Sequence, residues 1–135
     1  MFGSAHRLLG ALFVITFLFT GVYMRTHEPP MAALADGARL LYRSRHIYLL
    51  LAGLMNLLLG LYWTPRAPGW RRGIQTTGSV LLLVAPVLLV TAFFQEPNRP
   101  DLDTPLSHLG LFAVLLGSLA HLVSAQARTS PPSPK

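Results

Sequence analysis

The sequence predicts an all-α membrane protein: a four-helix transmembrane bundle with a short amphipathic interfacial helix in its first loop. Three observations carry that prediction. Four stretches of mostly apolar residues, each bounded by charge or proline, run from about Leu8 to Met24, Ile47 to Trp63, Ile74 to Phe94 and Leu106 to Val123. A hydrocarbon core about 30 Å thick requires roughly 20 helical residues to cross, and a helix satisfies all its backbone groups within its own segment. The chain is 52% hydrophobic and only 12% charged, about half the charged share of an ordinary soluble domain. Its small residues, finally, recur at seven-residue intervals inside the apolar stretches.

These features give one transmembrane domain over residues 1–127, with helices over about 6–24, 46–63, 74–95 and 106–126. The first segment follows His6 and Arg7 and competes with a signal-peptide reading, but the run is long for one and no A-x-A site precedes Arg25. The helix is therefore expected to be retained. In the first loop, Met31, Leu34, Ala35, Ala38, Leu41 and Tyr42 recur at helical spacing after Pro29 and Pro30, predicting an interfacial helix over about 30–43. The second loop contains Pro65, Pro68 and Gly69 and reads as a tight turn, flanked by Trp63 and Trp70 at headgroup level. The third loop has three prolines and three acids, and Asp103 or Thr104 is expected to cap the last helix at Pro105. Residues 128–135, rich in proline and serine, read as a disordered tail.

Lipid is as apolar as leucine, so helices associate in a membrane through close packing at small residues. Gly3 and Gly10 in the first helix, Gly53 and Gly60 in the second, Gly78, Ala85 and Ala92 in the third, and Gly110 and Gly117 in the fourth predict such seams. Asn56 shares the glycine face of the second helix and suits an interhelical hydrogen bond. Pro86 deprives the third helix of one hydrogen bond, with Ser79, Thr77 or a neighbouring helix expected to satisfy the freed group.

The formal charge of +6 does not point to nucleic acid, because the basic residues lie at helix ends and in short loops. The side holding the termini and the second loop carries Arg7, Arg66, Arg71, Arg72, Arg128 and Lys135. The other carries Arg25, Arg39, Arg43, Arg45 and Arg99, with all five acids. The bias of six to five favours cytoplasmic termini, the expected setting being a bacterial inner membrane. Partners are then lipid and other membrane subunits or further copies. With every acid in a loop and no charge at a helix centre, the interior is expected to hold no charged group, which disfavours ion-coupled transport. Absence of cysteine excludes disulfides and thiolate chemistry, and no Ser, His and acid set suggests hydrolysis.

Histidine offers the remaining chemistry. On the helical wheel, His6 falls on the Gly3 and Gly10 face, His46 on the Gly53 and Gly60 face, and His121 near the Gly110 and Gly117 face. A b-type haem in a bundle takes two imidazoles from different helices at one depth, with glycine nearby. His6 and His121 are the pair expected at a shared depth, with Arg7 near a propionate or a quinone oxygen. His46 and His108 share the opposite depth, but the two histidines of the last helix point about 140° apart on a straight helix. The competing reading places each histidine at the interface, bonded to a carbonyl or a lipid phosphate.

The run His6-Arg7-Leu8-Leu9-Gly10, preceded by Ser4, resembles over about seven residues the Ser, His-Arg and Gly pattern that opens the first helix of succinate dehydrogenase membrane-anchor subunits. That resemblance implies a serine and an arginine in contact with quinone. Here the serine stands one position closer, and those subunits usually have three helices. Two functions are thus expected to compete: a non-catalytic structural or accessory subunit, and a haem- or quinone-binding electron carrier.

Overall fold

In a computed structural model that describes residues 2–125, the chain forms α1 (Phe2–Thr26), α2 (Asp36–Leu61), α3 (Trp70–Gln95) and α4 (Pro105–Ala125). All four helices are long and apolar enough to cross a membrane, which makes this a small integral membrane protein. The expected tail, 128–135, lies outside the described residues. Local sequence sets each boundary. Pro29 and Pro30 follow the end of α1, and Pro65 and Pro68 follow that of α2. Gly69, at φ +130°, supplies the backbone turn into α3. Pro105 opens α4 at the position where its missing donor costs nothing.

The first connection differs from the expected interfacial helix over 30–43. Only a single 3-10 turn, Met31–Ala33, forms there, and residues 36–43 are the first two turns of α2. The run from Ala38 to Ala52 contains no glycine or proline, so its polar residues are carried into the helix rather than ending it. Asp36 favours the start electrostatically and pairs with Arg39 one turn on.

The bundle consists of two hairpins, α1 with α2 and α3 with α4, which meet chiefly along α2 and α3. The glycine seams lie inside the hairpins. A Cβ placed on Gly10 would strike the backbone of Leu57 and lie 2.9 Å from Gly53 O, while one on Gly60 would lie 2.9 Å from Gly3 O. The α1 and α2 seams therefore step past each other antiparallel, seven residues at a time. In the second hairpin Gly78 and Gly117 face each other reciprocally, each virtual Cβ 2.9 Å from the other's carbonyl oxygen, and Gly110 accommodates Leu89. Backbones approach this closely only where no side chain intervenes, which brings peptide dipoles and packed atoms into contact without help from water. Outward faces, such as Leu8, Leu12, Leu18 and Phe19 on α1, remain exposed and apolar.

Candidate functional site

Up-and-down connectivity collects the start of α1, the end of α2, the start of α3 and the end of α4 at one end of the bundle. This is called the histidine end below. The opposite end gathers the other four termini. Each end encloses a buried polar cluster, and the two are built on different chemistry.

The histidine-end cluster begins with a missing hydrogen bond. Pro86 has no N–H, so the carbonyl of Leu82, four residues earlier, loses its helical partner. Asn56 Nδ2 of α2 donates to that oxygen at 2.7 Å and also to its own Ala52 carbonyl at 2.9 Å. A neighbouring helix thus satisfies the freed group, one of the expected outcomes, while Ser79 is engaged elsewhere. With both amide protons facing carbonyls, the Asn56 amide has one workable orientation, and Oδ1 must be its acceptor.

His6 is fully buried, and its Nδ1 lies 2.7 Å from Asn56 Oδ1. Because Oδ1 only accepts, Nδ1 carries the proton and donates. In the neutral ring Nε2 is then an unprotonated nitrogen. It is buried and has no hydrogen-bond partner among the described residues. Fixing one imidazole nitrogen by a hydrogen bond is the device that presents the other as a metal ligand.

His121 comes from α4 to the same place. Its ring centroid is 6.2 Å from that of His6, nearly perpendicular to it, and its Nε2 shares a 3.1 Å hydrogen bond with Ser79 Oγ. Trp63 completes a triangle, 5.6 Å from His6 and 5.8 Å from His121. The wheel-based pairing of His6 with His121 thus corresponds to a close approach of the two rings across the outer helices. Arg7 is exposed and reaches Ser4 Oγ at 3.4 Å. His46 belongs to a different environment: it stacks on Phe17 at 4.0 Å and bonds Thr20, whose own hydroxyl donates to Phe17 O. His108 is exposed beside Thr104, and His27 lies 2.7 Å from Pro29 O. Four surface cavities of about 310–320 Å³ open on the described residues, and none of these four is lined by His6 or His121.

The opposite end corrects the expectation of an uncharged interior. Arg45 of α2 is 4% exposed and Glu96, in the 3-10 turn Glu96–Asn98 that extends α3, is 0% exposed. Arg45 Nε and Nη2 donate to Glu96 Oε2 at 2.9 and 2.8 Å, and its Nη1 donates to Ser44 Oγ at 2.8 Å. Ser107 adds its hydroxyl to Oε2 and its backbone N–H to Oε1, the latter at 2.9 Å. That N–H lies in the first turn of α4, where it has no helical acceptor, so Glu96 caps the helix from outside it. The cap was expected from Asp103 or Thr104. Asp103 Oδ1 instead accepts the Thr104 N–H.

This cluster is not legible in the sequence, where Arg45 and Glu96 both stand just outside apolar stretches and read as loop residues. One signal was present: continued as a helix, Arg45 shares a face with Leu49, Ala52 and Asn56, all of them buried. Glu96 gave no comparable sign, since its burial depends on where Ser107 and Arg45 are brought by other helices.

Comparison of the chain with protein-family models, with curated proteins and with solved structures finds no match in any of the three.

Proposed function

We propose that this integral membrane protein is a non-catalytic structural or accessory subunit of a membrane complex. The observation that supports this reading is how its buried polar groups are used. Asn56 ties α1, α2 and α3, Ser79 and His121 tie α3 to α4, and Glu96 ties α2, α3 and α4. Such ties make a braced frame whose outward faces are apolar and suited to lipid or to neighbouring helices. Purification from native membrane in mild detergent, followed by mass spectrometry, is the test. A membrane protein recovered in constant ratio, or a defined homo-oligomer, is expected. Recovery of the chain alone as a monomer contradicts the proposal.

A second reading rests on His6: an electron-transfer protein with a b-type haem held by His6 and His121, or quinone at the same end. The buried, unpartnered Nε2 is the observation in its favour. A macrocycle requires Trp63 to leave the triangle it now closes with the two imidazoles. Oxidised and dithionite-reduced absorbance of protein expressed with ample haem tests it. A Soret band and a reduced α-band, both lost in His6→Ala, are expected. Absence of both bands overturns the haem reading, and their survival in His6→Ala and His121→Ala overturns the ligand assignment.

A further inference from the structure

The turn between α2 and α3 forms a cationic hollow. A cavity of about 310 Å³ is lined by Arg66, Ala67, Pro68, Gly69, Trp70 and Arg71. The turn is held by design of its polar contacts: Gln75, 5% exposed, accepts from Arg66 N–H at 3.0 Å through Oε1 and donates to Thr64 O at 2.9 Å through Nε2. Arg66 is thereby fixed at the rim. Its Nε is buried and has no hydrogen-bond acceptor among the described residues. Arg71 lies over the Trp70 ring, 5.4 Å from its centroid, which holds a second guanidinium at the same hollow.

Charge at this end is one-sided. Arg7, Arg66, Arg71 and Arg72 belong to it, whereas Glu28, Asp36, Glu96, Asp101 and Asp103 all belong to the opposite connections or the helix ends beside them. Trp63 and Trp70 mark the level at which a membrane's headgroups lie. Two guanidinium groups at one hollow match an acceptor that carries negative charge and several oxygens.

We infer that this hollow binds the phosphate of an anionic phospholipid, with Arg66 and Arg71 donating to its oxygens and Trp70 packing against the glycerol and upper acyl region. The chemistry recognised is a phosphodiester monoanion with no cation in its own headgroup to compensate it, which an anionic membrane lipid supplies at the depth of the site. Basic groups at such a level attract anionic lipid electrostatically.

Native mass spectrometry of the full chain, released from mixed micelles holding equal phosphatidylglycerol and phosphatidylcholine, tests the inference. Wild type is expected to retain phosphatidylglycerol at least about fivefold over phosphatidylcholine, and R66Q/R71Q to reduce that preference to near unity. R25Q/R99Q, at the opposite end, should leave it unchanged. Inorganic phosphate in millimolar excess should not displace the lipid. Equal retention of both lipids by wild type overturns the inference, as does an equal loss in both double variants. Displacement by phosphate assigns the hollow to a free anion and overturns the lipid. If R66Q/R71Q fails to fold, the thermal shift of wild type decides: stabilisation by phosphatidylglycerol over phosphatidylcholine supports the site, and equal shifts overturn it.

Discussion

The two buried clusters solve one problem, holding polar groups inside lipid, in opposite ways. At the Glu96 end a carboxylate meets donors from Arg45 and Ser107, and among the described residues no buried side-chain nitrogen or oxygen of the cluster lacks a partner. At the histidine end donation runs from His6 to Asn56 and on to the Leu82 carbonyl, and it leaves His6 Nε2 without a partner among the described residues. A closed network braces, and an open one retains a group able to bind. The difference begins with Pro86, because its missing N–H claims an Asn56 proton and so decides which nitrogen of His6 is protonated.

The largest effect should come from breaking the closed network. Removing one member of a buried ion pair leaves an uncompensated charge, and Glu96→Ala is expected to cost about 3–5 kcal/mol in a reversible unfolding titration. Arg45→Met with Glu96→Leu should recover much of that loss. A double variant as unstable as the single would show that the end depends on the charge itself rather than on its compensation.

Seam glycines come next. Gly60→Leu drives a side chain into Arg7 and Gly3 of α1, and overpacking of this kind costs about 1–3 kcal/mol. Leu8→Ala, on the exposed face, should change stability little. Equal effects in the same titration would undermine the seam.

A smaller effect sharpens the histidine end. Asn56→Ala leaves the Leu82 carbonyl without a partner, and interhelical hydrogen bonds in membranes average about 0.6 kcal/mol. In a Pro86→Ala background the helix supplies its own donor to Leu82, so Asn56→Ala should cost less there. Additive losses in the double-mutant cycle would mean that Pro86 and Asn56 are not coupled.

What was legible in sequence follows from how local each feature is. The four spans need only a run of apolar residues, and the seams need only the seven-residue repeat of Gly3 and Gly10, Gly53 and Gly60, Gly78, Ala85 and Ala92, and Gly110 and Gly117. The wheel also grouped His6 with His121, since their depths follow from topology. The start of α2 was misplaced because charged residues at a membrane boundary look like loop until their partners are known. Arg45 is carried into the helix by a run without glycine or proline, and its burial there depends on Glu96, fifty-one residues away. Likewise, Pro86 and Asn56 were each noticed, but their meeting depends on how α2 and α3 register.

The open network at the histidine end turns on the tautomer of His6. Nitrogen-15 NMR of histidine-labelled protein in lipid, with His6 assigned by comparison with His6→Phe, measures it at neutral pH. A neutral ring with its proton on Nδ1 and Nε2 unprotonated is expected, shifting toward the other tautomer in Asn56→Ala. A wild-type ring protonated at Nε2 alone would contradict it.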